Sequence, residues 1–237
     1  MLMPKKLLTQ LKKGDFQLNK FVEVKDLFST NNKYIKPFLE RFQYPWEVLP
    51  EIKNYLKFLI GEGIEGYTLV DGNILMGENV KISPLATIEG PAVIGSNTEI
   101  RPGAYLRGNV IIGENCVIGN STELKNCVLC DGVQVPHYNY VGDSVLGDKA
   151  HLGAGAICSN FKGDGSNVVV RGDDDYVTGL RKLGAILGDG VDVGCGSVLN
   201  PGTVIGKGSR VYPLNSLRGV YPEKVIIKSN SDIVEMK

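Results

Sequence analysis

From Ile64 to Leu124 an aliphatic residue or Met recurs at every sixth position: Ile64, Val70, Met76, Ile82, Ile88, Ile94, Ile100, Leu106, Ile112, Ile118, Leu124. The fourth residue after each is small or β-branched, from Thr68 and Ile74 to Thr122 and Val128. A period of six matches neither the 3.6 of a helix nor the 2 of a strand, so a repeat architecture is the first to consider. Three hexads close one triangular turn of about 18 residues, and each turn adds about 4.8 Å, the spacing of adjacent strands. The aliphatic residues then point inward as stacked ladders, and the small residues fit the corners. The register continues through Leu129, Val135, Val141, Leu146, Leu152 and Cys158, then resumes at Leu187, Val193, Leu199, Ile205, Val211 and Leu217. The predicted fold is mainly β, a left-handed parallel β-helix of about seven coils, in which the left-handed coil overrides the usual right-handed crossover. The 30 glycines suit so many tight corners.

Two segments fall outside the ladder. Residues 1–63 contain the only Trp, Trp46, and Pro50 to Gly61 places Ile52, Tyr55, Leu56, Phe58 and Leu59 with helical spacing. This segment is expected to be a helical N-terminal cap over the open end of the stack, because bare strand edges invite aggregation. The β-helix domain is expected over 64–220, with 221–237 as a C-terminal tail. Between 159 and 184 the register is lost in a run rich in Gly, Asp and Asn. An excursion of that length in a compact domain is usually functional. It is expected to project from one flank, within reach of a neighbouring subunit.

Basic and acidic residues balance at 26 each, so no global field draws the chain to nucleic acid or membrane. No apolar run is long enough for a membrane span and the N-terminus does not read as a signal peptide, which makes a cytoplasmic protein the expectation. Five cysteines include one Cys127-Val-Leu-Cys130 motif. One such motif is weak evidence for zinc, and reduced thiols used as apolar filler are the simpler reading.

The two histidines, His137 and His151, both lie in the central coils. Face counting stacks Ile100, Ile118, Val135 and Leu152 on one face and Leu106, Leu124, Val141 and Cys158 on the next. His137 then lies two coils above Arg101, or about 10 Å. Lys125 is on the adjoining face and Tyr140 at the corner between them. Cations beneath an imidazole form a plausible phosphate seat below a general base, against the alternative of a structural histidine among solvated charges. Two histidines without a third ligand do not make a catalytic zinc site, and no phosphate-binding loop motif is present. No metal is expected.

The segment from Gly119 through Glu123-Leu-Lys125 to His137-Tyr-Asn-Tyr-Val-Gly-Asp143 resembles one family, as do Ile100-Arg-Pro-Gly-Ala104, Leu152-Gly-Ala-Gly155 and Ser159-Asn-Phe161. It is similar to the acetyltransferase domain of bifunctional UDP-N-acetylglucosamine pyrophosphorylase/glucosamine-1-phosphate N-acetyltransferase. Thr178 to Gly190 looks more like the archaeal-type sugar-phosphate branch. The resemblance covers about 64–220, and the family's pyrophosphorylase domain has no counterpart in it.

The resemblance implies an acetyl-CoA-dependent N-acetyltransferase for an amino-sugar phosphate such as glucosamine-1-phosphate. It further implies a homotrimer with sites between subunits and leaves room for a separate nucleotidyltransferase. His137 matches the general base. Arg101, Lys125 and Tyr140 match substrate contacts, although Arg101 sits about one hexad upstream of the family position and leaves Arg107 in contention. His151 replaces a substrate-binding Asn. Ser166 stands where the family has a lysine, for which Lys182 or Arg181 is the substitute. Ala154, Asn160 and Phe161 match acetyl-CoA contacts, with Phe161 in place of Tyr, and Lys228 is a candidate for a CoA phosphate. Those departures keep two alternatives open: an acyltransferase with a different acceptor, and a non-catalytic sugar-nucleotide-binding or regulatory protein.

Overall fold

The computed structural model describes residues 17–236. The chain forms a left-handed parallel β-helix with one sheet on each side of a triangular coil. The first sheet stacks Ile74–Met76, Ala92–Ile94, Val110–Ile112, Cys127–Leu129, Val145–Leu146, Ala185–Leu187, Thr203–Ile205 and Val220–Tyr221. The second runs from Lys81–Ile82 through Glu99–Ile100, Val117–Asn120, Gln134–His137, His151–Leu152, Asp192–Val193 and Arg210–Val211 to Val225–Ser229. The third stacks Thr87–Glu89, Tyr105–Arg107, Glu123–Lys125, Tyr140–Gly142, Ile157–Cys158, Val198–Leu199 and Ser216–Leu217.

Register follows the hexads. Ile100 lies between Ile82 and Ile118, and Leu124 between Leu106 and Val141. The ladder is therefore the core, with Ile118, Leu124, Val135, Val141 and Leu152 wholly buried. The tail beyond 220 continues the coil: Val225–Ser229 joins the second sheet and returns as the antiparallel strand Asp232–Glu235, burying Ile233 and Val234.

The N-terminal segment contains the α-helix Ile52–Glu62 and shorter helical turns at Leu18–Phe21, Val24–Leu27, Lys36–Leu39 and Pro45–Glu51. Residues 1–16 of the expected cap lie outside the described residues. The described part does not cover an end of the stack. It lies as a strap along the outer face of the first sheet, because that sheet is apolar on both faces. Leu75, Val93, Ile111, Val128, Val145, Ile186, Val204 and Val220 point away from the core, and all are buried in one cluster with strap residues such as Leu27, Ile35, Phe38, Trp46, Leu49 and Leu56. A sheet face of this composition requires a cover.

Polar ties fix the strap's position. At the corner between first and second sheets Asp131, Asp148 and Asp189 stack, each accepting a backbone N–H from the preceding coil at 2.7–2.9 Å. Asn32 donates to Asp131 at 2.8 Å and the Ser29 N–H to Asp189 at 2.8 Å. The buried Tyr34 hydroxyl donates to the Ile112 carbonyl at 2.7 Å.

The 159–184 segment does not project freely. It carries a two-stranded hairpin, Val169–Arg171 with Asp175–Val177. Tyr176 of the hairpin packs 5.4 Å from Tyr44 and 5.8 Å from Trp46 of the strap. Val168, Val170 and Leu183 are buried in the strap cluster. No described helix is long and apolar enough to cross a membrane.

Replacing Leu56, wholly buried under the strap, with Ala is expected to lower unfolding free energy by about 2–5 kcal/mol. The same change at Leu214, 84% exposed, is expected to cost no more than about 0.5 kcal/mol. Urea denaturation distinguishes them, and equal small shifts would show that the strap is not part of the cooperative unit. Cys116, Cys127, Cys130 and Cys158 are buried thiols, and burial pushes Cys116 and Cys158 up to about 12. A colorimetric thiol titration should therefore count only the exposed Cys195 in native protein and all five in denaturant.

Candidate functional site

The break in the ladder opens at the corner between the third sheet and the first. A cavity of about 340 Å³ at this corner is lined by Arg107, Lys125, Tyr140, Asn160, Phe161 and Lys182. Arg107 and Lys125 end adjacent strands, so the parallel register stacks them, and Tyr140 opens the next strand. Asn160 and Phe161 come from the outgoing limb of the loop, and Lys182 from the returning limb, bridged to Phe161. Residues far apart in sequence converge because both limbs leave the coil at one corner.

Asp143 organises the cavity wall. Its carboxylate, 4% exposed, accepts from the Lys125 ammonium at 2.9 and 3.1 Å, from Asn126 at 2.9 Å and from Asn160 at 2.6 Å. Burying a carboxylate is costly unless its oxygens are paired in this way. Asn160 also donates to the Tyr140 hydroxyl at 3.1 Å, which leaves the phenolic proton free for a ligand. Burial pushes the Tyr140 hydroxyl above the ordinary tyrosine range, so it remains a donor. Arg107 pairs with Glu123 at 2.6 Å. Lys182 has no ion-pair partner among the described residues, and the Arg181 guanidinium stands 5.9 Å from the Phe161 ring centre.

A second compartment of about 380 Å³ adjoins the first through Phe161 and Lys182. Its other walls are Leu49 and Pro50 of the strap, Asn126 and Asp143 of the coil, and Leu180 and Arg181 of the loop.

Other expected site residues lie elsewhere in the chain. His137 is on the corner between second and third sheets, three residues before Tyr140 and so at most about 10 Å along the chain. Its ring is exposed and makes no hydrogen bond among the described residues, while its backbone N–H donates to Asn139. Ala154 stands one coil above, as the Gly155 N–H to His137 carbonyl bond at 3.0 Å requires. Arg101 is not part of the cavity: it follows a second-sheet strand and pairs with Glu99 at 3.2 Å, whereas Arg107 faces Lys125.

His151 lies on the outer side of the second sheet, its Nδ1 2.8 Å from Asp192. Lys228 is three strands further along that sheet, 3.9 Å from Asp232. Ser166 is hydrogen-bonded to Lys162, which places a cation beside the position where the family's lysine is missing. Sequence reasoning missed Asp143 and Asn126. Asp143 ends the HxxYxGD motif, and a carboxylate at a small-residue corner was the available signal. No group of three or more His, Cys, Asp or Glu among the described residues is arranged to hold a metal.

A coil of stacked hexads with one loop inserted beside a cationic cavity defines a hexapeptide-repeat protein. Residues 88–207, half of the 237, match the family described as GMPPB C-terminal domain, and the chain belongs to that family. It is 35% identical over 208 residues to "Bifunctional protein GlmU" of Methanococcus maripaludis, covering 86% of this chain and 50% of that protein. It is 39% identical over 97 residues to the "Bifunctional sugar-1-phosphate nucleotidylyltransferase/acetyltransferase" of Sulfurisphaera tokodaii, covering 40% of this chain and 24% of that protein. The chain thus spans about half the length of the Methanococcus relative. Among solved structures, a UDP-N-acetylglucosamine acyltransferase from Campylobacter jejuni superposes with a TM-score of 0.47 at 16% identity, covering 68% of this chain and 69% of that one.

Asp143→Asn keeps the shape but removes the charge that faces Lys125. Unfolding free energy is expected to fall by about 1–3 kcal/mol in denaturant titration, and an unchanged midpoint would contradict the organising role.

Proposed function

We propose that the chain is an acetyl-CoA-dependent N-acetyltransferase whose acceptor is an amino-sugar phosphate such as glucosamine-1-phosphate, working as a homotrimer. The observation that carries this reading is the cavity itself. Arg107, Lys125 and Lys182 surround a space of monosaccharide-phosphate size, with the Tyr140 hydroxyl and Asn160 on one wall. Cations of this kind bind a phosphate as charge-assisted donors, and the hydroxyl orients the sugar.

In the proposed reaction the acceptor amine attacks the thioester carbonyl carbon. The C–N bond forms, the C–S bond breaks, the thiolate leaves as CoA, and His137 takes the proton lost by nitrogen. Positioning by the cationic pocket supplies a further part of the rate. Because His137 stands on a different corner from the cavity, the trimer is proposed to set that corner of one copy against the cavity of the next. Exposed apolar residues on the same corner, Leu85, Tyr138 and Leu214, support a buried contact there. His151 with Asp192 and Lys228 on the second sheet are assigned to the same inter-chain groove. Ala154 is assigned to acetyl-CoA, and Asn160 and Phe161 to the edge where the donor's acetyl end meets the acceptor cavity.

A second reading, a non-catalytic sugar-nucleotide-binding protein, has its own support. Arg107 and Lys125 are already paired with Glu123 and Asp143, and His137 is outside the cavity of its own chain.

Thiol release from acetyl-CoA, measured over a panel of amino-sugar phosphates, tests the proposal. Turnover is expected, and His137→Ala should lower it by about 10²–10⁴-fold while light scattering still reports a trimer. Retained activity would remove His137 as the base. Arg107→Ala should raise the KM for glucosamine-1-phosphate by more than Arg101→Ala does. The reverse order would relocate the phosphate. Tight sugar-nucleotide binding without turnover of any amine would favour the second reading.

A further inference from the structure

The compartment between strap and loop is separate from the space that a monosaccharide phosphate fills, yet continuous with it. The two share the Phe161 ring and the Lys182 side chain as walls. The second compartment is the larger, about 380 against 340 Å³, so a hexosamine phosphate seated among Arg107, Lys125 and Tyr140 leaves it empty.

Its chemistry is specific. Leu49, Pro50, Leu180 and Phe161 give apolar walls, and the Arg181 guanidinium beside the Phe161 ring adds a planar cation. Flat aromatic groups stack on such a ring and guanidinium. Asn126 spends both amide protons, one on Asp143 at 2.9 Å and one on the Leu49 carbonyl at 3.4 Å. Its carbonyl oxygen therefore remains as an acceptor for an N–H donor. Lys182 stands at the passage between the compartments, where a chain of phosphates would cross, and Arg181 lines the far side within the second compartment.

We propose that this compartment is a nucleoside subsite and that the preferred acceptor is a nucleoside-diphosphate amino sugar. The amino sugar occupies the first compartment, the diphosphate lies between Lys125 and Arg181, and the base enters between Phe161 and the Leu49–Pro50 wall. The inference depends on the acyltransferase reading for the identity of the donor, but its binding element does not.

Calorimetry with UDP as the probe tests the binding element on the intact protein without acetyl-CoA. UDP is expected to bind, and Arg181→Ala to weaken it by about tenfold, the loss of one charge-assisted contact. The second test compares kcat/KM for UDP-glucosamine and glucosamine-1-phosphate. The wild type should favour the nucleotide-linked acceptor, and Arg181→Ala and Leu180→Ala should shift the ratio toward the monophosphate by about tenfold. Absence of UDP binding would overturn the subsite. Displacement of UDP by CoA alone, with no preference between the acceptors, would also overturn it and assign the compartment to the donor. If UDP binds as expected but no acetyl transfer occurs with any acceptor, the acyltransferase reading fails while the nucleoside subsite stands.

Discussion

The outward row of aliphatic side chains on the first sheet is the constraint from which the shape of the functional corner follows. A coil needs only its inward hexad residues to hold together, but eight outward residues from Leu75 to Val220 are apolar and buried as well. Burying each such side chain contributes roughly 1.5–3 kcal/mol, so leaving the face bare would be costly and sticky. The strap is the cover. Once in place it presents Tyr44 and Trp46 to Tyr176, which anchors the hairpin of the long loop. An anchored hairpin fixes both limbs of the loop, and with them Asn160, Phe161 and Lys182. The cationic cavity is thus a consequence of how a distant sheet face is covered.

Asp143 performs the equivalent task at short range. One carboxylate joins the coil through Lys125, the strap through Asn126 and its bond to the Leu49 carbonyl, and the loop through Asn160. Three elements with no covalent reason to meet are held at one corner by an anion that must be satisfied once buried. Lys125 is therefore partly neutralised before any ligand arrives, and the excess positive charge rests on Lys182, which both compartments share, and on Arg181 of the second, both supplied by the returning limb. Electrostatic selection of a ligand is consequently a property of the loop more than of the β-helix.

The fold was legible because a period of six leaves no other regular structure, and the register of Ile100, Ile118 and Val135 was countable from the sequence. The strap's position was not. Its signal was present in the three-residue apolar runs such as Ala92-Val-Ile94, Val110-Ile-Ile112 and Cys127-Val-Leu129, whose middle residues point outward by strand alternation. Counting only the sixth residues hides that face and suggests an end cap. Lys125, Tyr140, Asn160, Phe161 and Lys182 line one cavity, and Arg101 does not. It occupies a second-sheet position, whereas a third-sheet residue is required to stack under Lys125, and Arg107 is that residue.

The placement of His137 carries the strongest consequence for assembly. Its corner and the cavity's corner are opposite edges of the third sheet, with strand Tyr140–Gly142 between them. Strands in a β-helix are rigidly registered on both sides, here by Leu124–Val141 and Val141–Cys158 pairs, so no local adjustment can carry His137 across the sheet. Tyr138, next to it, holds a left-handed backbone conformation and remains 65% exposed. A non-glycine residue in that conformation costs energy, and an exposed aromatic side chain returns none of it within the chain. A contact with a second copy at this corner would compensate both, at the place where the proposed reaction brings the imidazole to an acceptor held elsewhere. Assembly and catalysis are therefore coupled in the proposed enzyme through the same exposed corner.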